Sequence, residues 1–225
     1  MNRILRIAHR GASGYAPENT LAAFEKALEL ESDMIELDVR KTFDGKLVVF
    51  HDLRLDRLTH CKGFIRNVTF DELKKHKVQG HDIPLLYECL GYLKGKCQIN
   101  IEIKARGLAE DLAFLIKKLN MTPDVVISSF FHTELIKIKA IDQNFRVALL
   151  LATRPLSVRT VVKLAKRIQA EALHISYELL NRKYIIAARS EGLKIHIWTV
   201  DEPEDIFQLK TLGVDGIFSN YPDRI

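Results

Sequence analysis

The chain has 225 residues, 47% of them hydrophobic and only six of them proline, so it can bury a sizeable core and lacks the composition of a disordered segment. Its 34 lysines and arginines against 29 acids leave a net charge of +5, which favours small anionic partners. That excess is too small to argue for nucleic acid, since the basic residues scatter along helical stretches such as "IKKLN" and "KLAKR", where a solvated face explains them.

In chain order, the first strand is "ILRIAH" (residues 4–9), which ends not in small turn-formers but in His9, Arg10 and Gly11. The turn "PENT" follows, with Asn19 expected as the cap of a helix beginning at Thr20. In the second strand, "MIELDV" (34–39), alternation puts Glu36 and Asp38 on one face and Ile35, Leu37 and Val39 on the other. Residues 44–82 then break the rhythm with an extra short strand, "LVVFHD" (47–52), and an extra helix, "TFDELKKH" (69–76), before Pro84 opens a delayed helix, "PLLYECLGYLK". The strand "QINIEI" (98–103) repeats the two-faced pattern, with Ile101 and Ile103 opposite Asn100, Glu102 and Lys104. Strands "VVISSF" (125–130), "RVALLL" (146–151), "ALHIS" (172–176), "KIHIWTV" (194–200) and "DGIFS" (215–219) complete a set of eight, most followed by an amphipathic helical stretch. An eight-fold alternation predicts a (β/α)8 TIM barrel, one domain over residues 1–225, with an insertion at about 44–82 that covers or lines the site at the strands' C-terminal ends.

Three carboxylates, Glu36, Asp38 and Glu102, aimed into one partly desolvated space repel one another unless a cation sits among them. Hard oxygen donors point to Mg2+ or Ca2+; the alternative is that the acids pair with Lys104, Arg40 or Arg10. His9 and His51 each end a hydrophobic strand beside a potential partner, and an ordinary pKa near ~6.5 suits a proton donor and acceptor. His60, His76 and His81 lie in the insertion, while His132, His174 and His196 lack an acidic motif; His196 shares a face with Trp198 and reads as a core or pocket-lining residue. A cation, two positive side chains and two histidines suit an anionic ester, with phosphate the natural guess. Arg10 could instead be a simple ion-pair partner of one carboxylate.

The order of "HRG", "PENT", "ELDV", "HD", "EIK", "SF", "WTV" and "GVDGIFSNYP" resembles the glycerophosphodiester phosphodiesterase family over residues 7–222. The resemblance implies a metal-dependent barrel hydrolase that releases glycerol 3-phosphate and an alcohol from substrates such as glycerophosphocholine or glycerophosphoethanolamine. It implies that Glu36, Asp38 and Glu102 hold the metal, that His9 and His51 act as general base and general acid, and that Arg10 and Lys104 bind phosphate oxygens. It places Glu18 close to the site and makes Trp198, and similarly Phe130, an aromatic wall, although both could serve barrel packing. "GIFSN" replaces the Thr-Asp that often stands in the closing motif, and "THCKG" has Cys61 where small or polar residues are common. Neither departure touches a proposed metal ligand.

Cys61, Cys89 and Cys97 show no CxxC spacing, and the apolar residues before His9 are too few for a signal peptide, so a reducing, cytoplasmic setting without a stable membrane anchor is expected. Rival readings are a lysophospholipid substrate whose acyl chain meets Phe64, Ile65 and Phe70, a phosphate-binding protein on an inactive barrel, and an isomerase or aldolase on the same fold. Phe64, Ile65 and Phe70 read better as the insertion's own small core, every proposed catalytic group is present, and the motif order argues against the isomerase.

Overall fold

The structure is a computed structural model that describes residues 3–152 and 157–225. Its elements in chain order begin with β1 (Leu5–Ala8), α1 (Leu21–Glu29), β2 (Met34–Lys41), β3 (Leu47–Val49), α2 (Phe70–Leu73), β4 (Lys77–Val78), β5 (His81–Asp82) and α3 (Leu86–Leu93). They continue with β6 (Gln98–Ile103), α4 (Ala109–Lys118), β7 (Val125–Ser129), α5 (His132–Ile141), β8 (Arg146–Leu151) and α6 (Val158–Arg167). The last are β9 (Ala172–Ser176), α7 (Arg182–Ser190), β10 (Lys194–Trp198), α8 (Pro203–Leu212) and β11 (Gly216–Ser219).

Strands β1, β2 and β6 to β11 lie parallel to their neighbours, and β1 pairs with both β11 and β2, which closes the predicted eight-stranded barrel. β1 reaches only Met34 and Ile35 of the longer β2. The far end of β2 overhangs, and β3 runs antiparallel along it, pairing Val39 with Val49 and Lys41 with Leu47. An edge that would otherwise offer unpaired backbone groups is thereby occupied.

The predicted faces are realised. Ile35, Leu37, Val39, Ile101 and Ile103 point outward into one apolar layer with helix residues such as Phe24, Leu86 and Leu90. Ile7, Met34, Val126, Ala148, Ala172 and Phe218 fill the inside of the barrel, so it is packed and not a pore. His174 and His196 are buried there too, stacked with centroids 5.0 Å apart and with Phe218 edge-on to His174, which settles His196 as a core residue. Among the described residues, no helix is long and apolar enough to cross a membrane.

The insertion has a core of its own, formed by Val48, Phe50, Leu55, Ile65, Phe70, Leu73, Val78 and Ile83. Ile65 and Phe70 are thus used inside it, while the Phe64 ring lies under the guanidinium of Arg54 at 4.9 Å. The Thr69 hydroxyl accepts from Glu72 N–H and the Glu72 carboxylate accepts from Thr69 N–H, a reciprocal cap that starts α2. The helix is shorter than the predicted 69–76, because beyond Leu73 the bonds tighten to three-residue turns that lead into the β4–β5 hairpin. The expectation that Pro84 opens the next helix is also corrected. Its carbonyl accepts from Val49 N–H at 2.9 Å, tying it to β3, and α3 starts after Leu85, whose N–H donates to the Glu88 carboxylate.

Leu73 is fully buried in this core, so Leu73→Ala is expected to cost about 2–5 kcal/mol in urea unfolding. Phe50 in the same core immediately precedes His51, so the same substitution should also disturb the placement of that imidazole.

Candidate active site

The site begins where β1 ends. His9 N–H still pairs with Ser219 of β11, but Arg10 and Gly11 then turn left-handed, with φ of 57° and 79°. A Cβ on Gly11 would stand 2.6 Å from the backbone of Ala23, so both the turn and its close approach to α1 require glycine. The turn aims Arg10 N–H at Glu36 Oε2, 2.7 Å away.

Asp38 and Glu102 are register partners on β2 and β6, and Glu36 is paired with Asn100 one step below. Strand spacing alone brings the three acids together, each with an oxygen within 4.8 Å of the others. Burial, then the charges of Asp38 and Glu102, push the Glu36 carboxyl well above its ordinary range. Burial and Asp38 push Glu102 up to about 7. Burial works in the same direction on Asp38, but Lys104 and Arg10 outweigh it and hold its carboxyl below the usual range.

The ion pairs foreseen as an alternative to a metal are present in part. Lys104 Nζ lies 2.6 Å from Glu102 Oε1 and 3.6 Å from Asp38 Oδ1, and Arg10 Nε lies 3.4 Å from Asp38 Oδ2. Arg40 takes no part: its guanidinium donates to the backbone carbonyls of His51 and Lys104. The pairs do not complete the site, because Glu36 Oε1 and Asp38 Oδ1 are buried and accept no hydrogen bond. With all three acids ionised, as a bound cation would require, their charge exceeds that of Arg10 and Lys104 by one. This all-oxygen donor set fits a hard divalent cation.

Asn19 is not the helix cap. Thr20 is, its hydroxyl accepting from Ala23 N–H, while Asn19 sits left-handed at φ 59°. Its amide donates to Asp38 Oδ2 at 2.8 Å and accepts from Asp38 N–H at 3.2 Å, so Asn19 buttresses a proposed metal ligand. A short polar side chain tolerates this backbone, which is why asparagine serves here.

His9 Nδ1 lies 2.8 Å from Asn220 Oδ1. Burial, with help from Arg10, lowers this imidazole to about 4, so it is neutral at neutral pH. His51 Nδ1 lies 2.6 Å from Asp52 Oδ1, and burial, then Arg10 and Lys104, lower it against the opposing pull of Asp38 and Asp52. Asp52 is held at about 2: burial opposes this, but hydrogen bonds from Arg57 and His51 prevail. Arg57 grips both Asp52 and Glu18, and Glu18 in turn accepts from Arg10 at 2.8 Å. An unbroken chain of ion pairs therefore joins His51 in the insertion to Arg10 on the barrel.

At the C-terminal mouth of the barrel, His9, Arg10, Glu36, His51, Glu102 and Lys104 line a pocket of about 320 Å3. Phe130 and Trp198 line it too, in edge-to-face contact with centroids 5.7 Å apart, and Lys104 Nζ lies 5.7 Å from the centre of the Phe130 ring. Asp38, 1% exposed, pairs with Arg10 and Lys104 behind this surface. Glu18 borders an adjoining depression instead, with Ser13, Asp201 and Asn220. A larger hollow of about 890 Å3 opens between Arg6 and Asp215 at the opposite end of the barrel, away from every strand-end group just described. Asn220, Asp201 and Arg57 are the site residues that sequence reasoning missed. The only signal for Asn220 was its place directly after the last strand, in the motif already noted as departing from Thr-Asp.

The profile of the glycerophosphoryl diester phosphodiesterase family matches residues 9–224. The chain is 38% identical to a glycerophosphodiester phosphodiesterase of Caldanaerobacter subterraneus subsp. tengcongensis, over 99% of this chain and 96% of that protein. Its fold is similar to an Oleispira antarctica phosphodiesterase solved with the product sn-glycerol-3-phosphate, with a TM-score of 0.88, 28% identity, and coverage of 97% of this chain and 94% of that one. It is equally similar to a glycerophosphodiester phosphodiesterase from Thermotoga maritima, with a TM-score of 0.88, 29% identity, and coverage of 99% and 97%. With fold, strand-end chemistry and full-length similarity in agreement, the chain belongs to the glycerophosphoryl diester phosphodiesterase family and is a hydrolase of phosphodiesters.

Proposed function

We propose that this enzyme hydrolyses glycerophosphodiesters such as glycerophosphocholine and glycerophosphoethanolamine, with His9 as general base, His51 as general acid, and Mg2+ or Ca2+ held by Glu36, Asp38 and Glu102. The observation that carries the reading is the convergence of two imidazoles, two cations and two of the three carboxylates on a single pocket. When bound, the cation supplies Lewis-acid polarisation of the phosphoryl group and eases ionisation of the attacking hydroxyl.

The side chains account for the proton traffic. Neutral His9 takes the proton of the attacking hydroxyl, which belongs to water or to the substrate's own 2-hydroxyl; trapping a cyclic phosphate would identify the second. His51 gives a proton to the head-group oxygen as its bond to phosphorus breaks, and the Asp52 carboxylate supports the imidazolium before that transfer. Arg10 and Lys104 offset the charge that accumulates on the phosphoryl oxygens. Phe130 and Trp198 supply the aromatic part of the pocket lining. The products are an alcohol and glycerol 3-phosphate, the latter formed directly when water attacks, or after a water opens the cyclic phosphate when the 2-hydroxyl does.

The direct test is glycerol 3-phosphate release from glycerophosphocholine by metal-stripped protein, with and without Mg2+ or Ca2+, beside His9→Ala. Metal-dependent release lost in the variant supports the whole reading; no release with either ion rejects it. Choline release from lysophosphatidylcholine at a matching rate would move the substrate to lysophospholipids, a reading disfavoured by the use of Ile65 and Phe70 in the insertion's core.

Metal binding should also show in stability. Glu102 moves from an ordinary 4.5 up to about 7 in the metal-free fold, and Glu36 moves the same way. Their contribution to metal-free stability is present below about 4.5 and lost as pH rises through about 7. A cation replaces those protons, so the Tm increment on adding Mg2+ or Ca2+ should grow between pH 5 and pH 8, as read by differential scanning fluorimetry.

A further inference from the structure

His9 and Asn220 leave adjacent strands side by side. Ala8 of β1 is paired with Ser219 of β11, and His9 N–H donates to the Ser219 carbonyl at 2.9 Å. The Asn220 amide stands between His9 and Asp201. On the Asp201 side, Asn220 Nδ2 donates to Oδ2 at 2.6 Å, while Asn220 N–H and the Ser219 hydroxyl donate to Oδ1 at 2.7 and 2.8 Å. A carboxylate only accepts, so the amide end that faces it is the NH2 group. The end facing His9 is therefore the carbonyl oxygen, which Ser13 Oγ also approaches at 2.7 Å.

A carbonyl oxygen accepts as well, and its neighbour at 2.8 Å is His9 Nδ1. We propose that Asn220, oriented by Asp201, is a positioning residue that fixes His9 as the Nδ1–H tautomer and so leaves the Nε2 lone pair as its proton acceptor. The proposal rests on the reading of His9 as general base. Burial keeps His9 neutral, so its proton position is a choice between two tautomers. Neither Asn220 nor Asp201 lines the 320 Å3 pocket; they border the adjoining depression, and Asn220 reaches the pocket through its contact with His9.

A second consequence concerns charge. The groups that act on His9 are Arg10, Asp38 and His51, and the partner on its Nδ1 is an uncharged amide, with the Asp201 carboxylate one residue further away. Asn220→Asp would put a carboxylate in direct contact. It should keep the Nδ1–H tautomer but move the acidic limb of the kcat/KM profile upward by about one pH unit.

The test is the tautomer of His9 in 15N-labelled protein at pH 7.5, read from long-range 1H–15N spectra and assigned by its loss in His9→Ala. The wild type and Asn220→Asp should both show Nδ1–H. Asp201→Asn removes the fixed acceptor and lets the Asn220 amide turn its NH2 toward His9. The Nε2–H form should then appear, and kcat should fall by at least about 10-fold, in the direction of the ~10⁴-fold loss that a wrong histidine tautomer causes in a serine protease, with little change in KM. Nε2–H in the wild type, or Asp201→Asn unchanged in tautomer and kcat, would overturn the proposal. If Asp201→Asn fails to fold, an unmoved pH limb in Asn220→Asp would overturn it. A tautomer that switches without any loss of turnover would instead overturn the reading of His9 as base.

Discussion

His9→Ala is expected to reduce kcat on glycerophosphocholine by about 10²–10⁴-fold, and His51→Ala by a similar factor, because each removes one proton transfer from the transition state. Equal losses would not assign the roles. The assignment follows from the leaving group. A glycerophosphodiester of an acidic phenol departs without needing a proton, so on that substrate His51→Ala should recover to within about 10-fold of wild type while His9→Ala stays impaired. The structural grounds are the partners on Nδ1: His9 faces a neutral amide, whereas His51, although burial lowers it too, has a carboxylate at 2.6 Å that favours its protonated form. Recovery of His9→Ala instead of His51→Ala would reverse the two roles. Recovery of neither would remove the general-acid role from both residues while leaving His9 free to act as the base.

Asp38→Asn and Glu36→Gln should both abolish tight binding of Ca2+ in calorimetry, and both should cost more activity than the ~10–100-fold typical of losing a mere supporting partner of a ligand. Their effects on metal-free stability should differ. Asp38 is buried with its charge held by Lys104 and Arg10, so neutralising it takes a buried partner from both cations, which keep only Glu102 and Glu18, and should cost about 3 kcal/mol. Glu36 is pushed the other way, toward its protonated form, and a glutamine oxygen can still accept from Arg10 N–H. Glu36→Gln should leave the unfolding free energy within about 1 kcal/mol of wild type, or raise it. Urea titrations in chelator would decide: equal destabilisation by both substitutions would refute this division of charge between the two neighbours.

What was legible in the sequence follows the range of the interactions. Strand alternation is local, so Glu36, Asp38 and Glu102 could be aimed into one space from "IELDV" and "INIEI" alone, and the register of β2 on β6 then brought Asp38 beside Glu102. His9 and His51 were visible because they end hydrophobic runs. Asn19 was misread because its residue type favours caps; its bond to Asp38 depends on a left-handed turn and on a strand elsewhere in the chain. The bond between His9 and Asn220 spans 211 positions and exists only because the last strand closes onto the first, so no window of sequence could display it. Arg57 belongs to no motif, and its purchase on Asp52 and Glu18 appears only when the insertion folds back over the first turn.

The strip of β3 along the overhang of β2 has an evolutionary corollary. The acids come from strands inside the ring, while His51 comes from a lobe with a separate apolar interior, tied on by β3 and by Arg57. Ancestral lineages could therefore have remodelled the departing-alcohol half of the reaction by exchanging one lobe, leaving the ancient ring untouched. A chimera that carries residues 44–82 from a relative with a different head-group preference would replay such an exchange in a single step.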